Sequence, residues 1–288
     1  MQTKYNLISV IVNCHNGEKF INRCIESILI QTYDNFEIIF LDNMSTDGTE
    51  EILKKISDKR IKYFKTEKFL KLYEARNLAI SKAKGKYISF LDIDDSWEKD
   101  KLKLQLAKMI KTDSDFSFTN YWIKKKNKKY LFKKSLKITD IQDKILNDYP
   151  IGILTVLIKS NIFFKENYFF DNNYEIIGDF DFFFRISDKF KYCYLDMPLS
   201  TYYIHDENLS IKKLNVEIEE FNRWIHINKK ILLNKKNQII QNNYIRTCNY
   251  LLNQKKLYIN SEELKKINDV KIKLKFYLKI MLKKLNLR

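Results

Sequence analysis

Glycine and proline are nearly missing from this sequence, with 5 and 2 residues in a chain of 288. Long flexible linkers are therefore excluded, and the few glycines become informative. Cysteine and histidine are also scarce, at 4 and 3 residues. Cys14, Cys24, Cys193 and Cys248 include no C-x-x-C pair, which argues against a structural zinc site and for free thiols in a reducing compartment. No run of 18 or more apolar residues is free of charge, so nothing in the sequence reads as a membrane span. The first residues, Met1–Lys4, lack the apolar segment of a signal peptide. A cytoplasmic location is the expectation.

Hydrophobic and aromatic residues, in contrast, make up 45% and 14% of the chain, enough for a sizeable core. The length suits one large domain, or a catalytic domain with a smaller extension. The formal net charge is +17. Such an excess suggests an anionic partner: nucleic acid, a phospholipid surface or phosphorylated small molecules. The general abundance of Lys, Asn and Ile is an alternative origin for it.

The first 120 residues alternate between two hydrophobic periods. Leu7–Val12, Glu37–Leu41, Ile61–Phe64 and Tyr87–Leu91 are short apolar runs that read as strands. Lys19–Ile30, Thr49–Ser57, Leu72–Ala83 and Lys99–Lys111 read as helices; in the first, Ile21, Cys24, Ile25 and Ile28 share one face. This alternation predicts an α/β fold with a mostly parallel central sheet flanked by helices. Ligands bind such sheets beyond the carboxyl ends of the strands. Polar residues stand at those positions: Asn13-Cys14-His15-Asn16, Asp42-Asn43 and Asp92-Ile93-Asp94-Asp95. Further on, Ile151–Ile158 reads as a strand, Asp179–Phe190 as a helix and Tyr192–Tyr203 as extended chain. Lys124–Lys129 and Lys133-Lys134 read as exposed loop or hairpin, and a Lys-rich helical region begins near Leu214.

The acidic cluster carries the clearest chemistry. Three carboxylates within four residues repel one another unless a cation or hydrogen-bond donors neutralise them. Mg²⁺ and Mn²⁺ take one or two carboxylates and fill their remaining positions with phosphates and water. The bland alternative is a solvated acidic turn before the next helix. A cluster of acids after a buried strand also argues against nucleic acid as the partner.

At these residues the sequence resembles a known family. Ser9-Val10-Ile11-Val12-Asn13-Cys14-His15-Asn16, Ser27–Tyr33, Phe36–Thr49, Glu74-Ala75-Arg76-Asn77 and Gly85–Asp95 match, in order and spacing, the motifs of family 2 glycosyltransferases with the GT-A fold. The resemblance implies a Rossmann-like GT-A domain over 1–212, with nucleotide-sugar binding in about 1–112 and the acceptor side in about 113–212. A helical extension would occupy 213–288. It implies an inverting, metal-dependent transfer of a sugar, typically from a UDP-sugar, to a glycan or lipid-linked glycan. Cys14, His15 and Asn16 would line the donor pocket, Asp42 would bind the base, and Arg76 would reach the base or the diphosphate. Asp92 would approach the ribose or the metal, and Asp94 would hold Mn²⁺ or Mg²⁺. The sequence departs from the family at Asn13-Cys14-His15-Asn16, where Pro-Thr-Tyr-Asn is usual, and at Asn43, where a second acid is common.

Gly178-Asp179-Phe180-Asp181-Phe182-Phe183-Phe184-Arg185 resembles the family's Glu-Asp segment, which places Asp179 as the catalytic base and Gly178 where Glu is common. An inverting transfer needs one carboxylate to deprotonate the acceptor hydroxyl. A helix N-terminal acid is the structural alternative for Asp179. Tyr202–Ser210 resembles a later family segment and offers His205 as a third metal ligand or a phosphate contact. His226 receives no role, and Asp95 is read as a cap of the following helix.

Over Leu264–Leu287, Ile267, Val270, Leu274, Tyr277, Leu278, Met281 and Leu285 fall at helical spacing among lysines. Such a helix would be about 36 Å long. It suits an anionic membrane surface, with about 1 kcal/mol per basic residue near the headgroups, and equally suits packing on the catalytic domain or in a homodimer. Membrane binding would place the enzyme peripherally on the inner face of the cytoplasmic membrane.

Overall fold

A computed structural model describes residues 6–132 and 140–228. The chain opens with β1 (Ile8–Cys14), α1 (Ile21–Leu29), β2 (Phe36–Asp42), α2 (Thr49–Lys54), β3 (Ile61–Lys65), α3 (Leu72–Ser81) and β4 (Tyr87–Phe90). These are the elements read from the hydrophobic periods, with ends that differ by a few residues. β2 and β4 are buried along their whole length, as is β1 apart from Asn13, as strands covered on both faces must be. Their order is β3-β2-β1-β4, all parallel. The α1 stripe seals one face: Ile21, Cys24, Ile25 and Ile28 are each fully buried, in a cluster with Val10, Val12 and Phe40.

The chain continues through β5 (Ser96–Trp97), α4 (Lys101–Thr112), β6 (Phe116–Lys125), β7 (Lys128–Leu131), α5 (Ile141–Asp148), β8 (Leu157–Lys159), α6 (Asn161–Phe164), α7 (Gly178–Ser187) and β9 (Tyr192–Ile204). Here the sheet stops being parallel. β8 runs antiparallel to β4 and to β6, β9 runs parallel to β6, and β5 is antiparallel to β9. The parallel prediction thus holds for the first four strands, and the whole sheet is mixed. The lysines of 124–129 form the β6–β7 hairpin, with Lys126 at its tip in the left-handed region (φ 52°); Lys133 and Lys134 lie outside the described residues.

The segment Ile151–Ile158 is not one strand. It contains a 3-10 turn at Ile153–Thr155 and only the first residues of β8. Side chains take the place of ladder partners. Leu154 O accepts from Trp97 Nε1 (2.8 Å) and Ser200 Oγ (3.1 Å). Thr155 O accepts from Gln105 Nε2 (2.8 Å), and Val156 O from Ser89 Oγ and Lys101 Nζ. An apolar run reports burial but not which groups satisfy its backbone.

By their contacts the sheet and its helices through Asn208 form one compact unit, less Leu146–Asp148. Those three residues belong with a second unit that starts at Leu209 and includes α8 (Leu209–Lys212) and α9 (Leu214–Ile227). The amphipathic stretch 264–287 and Cys248 lie outside the described residues. Among the described residues no helix is long and apolar enough to cross a membrane, and Cys14, Cys24 and Cys193 are free and buried.

Candidate active site

The loops that follow β1, β2 and β4 meet at the carboxyl edge of the parallel strands. Asn16 ties two of them together. Its backbone is left-handed (φ 56°), which asparagine tolerates. Its N–H donates to Ser45 Oγ (2.9 Å), and its Oδ1 accepts from Thr46 N (2.8 Å). His15 is exposed. Its Nδ1 lies 2.8 Å from Asn43 O, a contact in which Nδ1 donates. The ring meets Phe69 edge-on at 4.9 Å, and Phe69 is 62% exposed. The two rings form an open aromatic corner suited to a planar base.

Cys14 and Asp42 sit deeper. The Cys14 thiol points to the α1–α2 side of the sheet, 4.0 Å from Thr49 Oγ1, and burial pushes its pKa up to about 12. Asp42 is fully buried at the end of β2. Ser45 N donates to its Oδ1 and Tyr63 Oη to its Oδ2, both at 2.8 Å. Asn43, which stands where a second acid is common, braces the loop before α3: Leu70 O accepts from its Nδ2 (2.8 Å) and Leu70 N donates to its Oδ1 (2.9 Å).

Arg76 projects from α3 and is only 2% exposed. Its Nη2 donates to Asp92 Oδ1 at 2.8 Å. The rings of Tyr73, Phe170 and Phe90 surround it at 5.4, 5.6 and 5.9 Å. Burial works against its charge, but Asp92, Tyr73 and Asp179 outweigh burial and raise its pKa. The neighbouring Asn77 holds Phe170 through both its backbone groups, at 2.8 and 3.2 Å.

The three acids of the cluster have three different environments. Asp92 is more than a third exposed and pairs with Arg76. Asp94 places its Oδ2 3.0 Å from His205 Nε2 and 3.2 Å from Asn208 Nδ2. Burial, and then the charge of Asp92, push the Asp94 carboxyl upward. Asp95 is 1% exposed and accepts from Tyr203 N at 3.0 Å, so it anchors β9 and does not cap α4, whose N-cap position is Asp100. Arg23 of α1 donates to the Asp94 carbonyl and lies 3.7 Å over the Tyr203 ring. His205 stacks on Phe20 at 4.9 Å, and its buried Nδ1 has no hydrogen-bond partner.

Asp179 lies at the start of α7, half-buried. Its Oδ1 is 3.1 Å from Tyr73 Oη and 2.8 Å from Phe180 N. Burial raises its pKa, while Tyr149, Arg76, Phe180 N–H and Tyr73 pull the other way. Asp181 instead forms an i,i+4 ion pair with Arg185 at 2.8 Å. Tyr73, Asn208 and Arg23 are the contacts that sequence reading missed. Tyr73 stands three residues before Arg76 and so on the same helix face, and Asn208 stands three after His205; those spacings were the available signals.

Among the described residues no three His, Cys, Asp or Glu side chains form a metal cage by themselves. Asp94 and His205 do offer one carboxylate and one imidazole side by side, in a cluster whose other cations, Arg76 and Arg23, engage Asp92 and the Asp94 carbonyl. That donor set fits a hard divalent ion whose other positions are filled by phosphate and water.

A sheet of this kind, half parallel and half mixed, is that of the GT-A fold. The fold matches TarS 1-349 of S. aureus in complex with UDP-GlcNAc, with a TM-score of 0.64 and 20% identity over 90% of this chain and 78% of that one. It also matches the mannosyltransferase PcManGT from Pyrobaculum calidifontis, in complex with GDP-Man and Mn2+, with a TM-score of 0.63 and 13% identity over 96% and 86% of the two chains. The chain belongs to glycosyl transferase family 2, whose description matches residues 9–189. It is 41% identical over 117 residues to the putative teichuronic acid biosynthesis glycosyltransferase TuaG of Bacillus subtilis, covering 40% of this chain and 46% of TuaG. It is 37% identical over 157 residues to the Escherichia coli UDP-Glc:alpha-D-GlcNAc-diphosphoundecaprenol beta-1,3-glucosyltransferase WfgD, covering 54% of this chain and 61% of WfgD. The matches thus span about half the length of these relatives.

Proposed function

We propose that this enzyme transfers a sugar from a UDP-sugar to a hydroxyl of a glycan or lipid-linked glycan, with inversion at the anomeric carbon, in the synthesis of a bacterial surface polysaccharide. One observation carries the reading: α3 presents Arg76 to Asp92 and Tyr73 to Asp179, so one helix joins a donor-side acid to an acceptor-side acid. The name of WfgD and the complex of TarS with UDP-GlcNAc support a UDP-sugar, and the name of WfgD a diphosphoundecaprenol-linked acceptor. His15 and Phe69 stack the base, and Asp42 fixes the β2 loop beneath it.

Asp179 accepts the proton of the acceptor hydroxyl as that oxygen attacks the anomeric carbon. The bond from that carbon to the diphosphate oxygen breaks, and UDP leaves with the bonding electrons. Asp94 and His205 would hold Mn²⁺ or Mg²⁺. When bound, such an ion offsets the charge that develops on the leaving diphosphate. Residues 1–212 act as the catalytic domain and 213–288 as an extension, with 264–287 meeting an anionic membrane on its cytoplasmic face.

The test is calorimetric titration of the full chain with UDP, with and without Mn²⁺, followed by the same titration of Asp94→Ala. Wild-type binding that needs Mn²⁺, and its loss in the variant, is the expected result. Metal-dependent UDP binding that survives in Asp94→Ala overturns the donor-site assignment. A panel of nucleotide-sugars, read by thermal stabilisation, then identifies the sugar.

A further inference from the structure

Tyr73 is 1% exposed and sits in the first turn of α3. A buried phenol needs a partner for its hydroxyl. Tyr73 Oη has two acceptors, Ile176 O at 2.7 Å and Asp179 Oδ1 at 3.1 Å, so its single proton is shared between the backbone that leads into α7 and the carboxyl on that helix. The ring stacks on Phe170 at 5.5 Å, which fixes its plane. Gly178 lies against the same ring. A Cβ at that position would lie 2.5, 2.6 and 2.8 Å from three carbons of the Tyr73 ring, nearer than any side chain can approach. Gly178 does not have a left-handed backbone. Space, then, and not conformation, is what requires glycine there.

We infer that Tyr73 is the positioning residue of Asp179, and that Gly178 is the opening that admits its ring. The inference rests on Asp179 being the base. Tyr73 does not touch the reacting atoms. It fixes the rotamer of the carboxyl, steadies the turn into α7 through Ile176, and supplies a hydrogen bond that favours the ionised form. The other groups facing Asp179 are Arg76 on α3, Tyr149 after α5, and Tyr121 on β6. Of these only Arg76 is a cation, and it is already paired with Asp92. Tyr149 also lowers the Asp179 pKa, but its buried hydroxyl has no partner at hydrogen-bond distance among the described residues, whereas that of Tyr73 does. The inference also explains a departure of this chain from its family: the residue before the base is small because α3 sends an aromatic ring across it.

Two variants of the full chain test this. Tyr73→Phe keeps the ring and removes the hydroxyl. Gly178→Ala keeps the hydroxyl and displaces the ring. The direct readout is the titration of the Asp179 carboxyl by ¹³C NMR on protein labelled at aspartate Cγ, with the signal assigned by its absence in Asp179→Asn. Loss of one hydrogen bond to the carboxylate should move that titration upward by about 0.5–1 pH unit in Tyr73→Phe. Turnover, read as UDP release from the UDP-sugar selected by the panel, should fall on the order of 10-fold in both variants. UDP affinity should stay within about 2-fold, since a positioning residue of the base leaves donor binding alone. An unmoved Asp179 titration in Tyr73→Phe overturns the inference, as does UDP affinity lost in step with turnover. Full turnover in Asp179→Asn overturns the reading of Asp179 as base instead, and the titration shift would stand apart from that result.

Discussion

The two halves of the sheet are held together differently. In β3-β2-β1-β4 the strand backbones pair through parallel ladders and most strand side chains pack in the core, although Ser9 and Glu37 accept from the N–H groups of Gly85 and Lys84 just before β4. Around β8, β6, β9 and β5 the strands are short or change direction, and side chains complete the backbone. Leu154, Thr155 and Val156 give their carbonyls to Trp97, Ser200, Gln105, Ser89 and Lys101. Lys101 shows the cost of that arrangement. It is fully buried, its Nζ donates to Gln105 Oε1 at 2.7 Å and lies 4.1 Å over Trp97, and burial drives its pKa well below the usual lysine range. The first half should therefore tolerate conservative changes in its core, and the second should depend on individual polar groups.

The largest effect expected is at the junction of the halves. Asp179→Asn should lower turnover about 10²–10⁴-fold and leave UDP binding intact, as measured by UDP release and calorimetry. The same residue predicts a pH effect. Burial raises the Asp179 pKa above its ordinary 3.8, so activity that needs the carboxylate should fall, as pH is lowered, at a higher pH than an ordinary aspartate would allow. For stability the sign is opposite. The contribution of this group is fully present below the ordinary aspartate value and is lost as pH rises through the raised one. Asp179→Asn should therefore not lower the melting temperature at neutral pH, which thermal denaturation across pH will show.

Next in size is Asn208→Ala. Asn208 donates to Asp94 Oδ2 and accepts from His205 N at 2.6 Å, so it orients both candidate ligands. Mn²⁺ affinity in the presence of UDP should weaken about 10–100-fold. The contrast between the halves is tested most directly by a pair of core changes. Gln105→Leu removes the donor to Thr155 O and Ser117 Oγ and should cost about 1–3 kcal/mol in urea unfolding. Ile38→Val in β2 should cost about 0.5–1.5 kcal/mol. An equal or reversed ranking would remove the distinction drawn above. The smallest effect belongs to the β6–β7 hairpin, where Lys125→Ala should stay within about 0.5 kcal/mol of the wild type.

The difference between the halves also explains what was legible in the sequence. β1, β2 and β4 are apolar runs with polar residues at their ends, and the ends are where the candidate site was sought. Asp92, Asp94, His205 and Arg76 were named from that pattern and from the resemblance, and the fold gathers them along one edge. Asp42 was named as well; it lies fully buried at the end of β2, and only the fold shows that Tyr63 and Ser45 meet its two oxygens. Ile151–Ile158 was read as a strand because its composition reports burial, while the donors that bend it come from residues more than 40 positions away.

By itself, the sequence determined the alternating α/β order, the apolar faces of α1 and the first strands, and the acids at the strand ends, because each depends on the period of a local segment. Only the tertiary structure decided which acid meets which partner. Asp94 meets His205, Asp92 meets Arg76, Asp95 anchors Tyr203, and Asp179 meets Tyr73 across 106 positions of chain. Those pairings depend on how the sheet turns from parallel to mixed. That turn is set by side chains that satisfy distant carbonyls, and no local period records it.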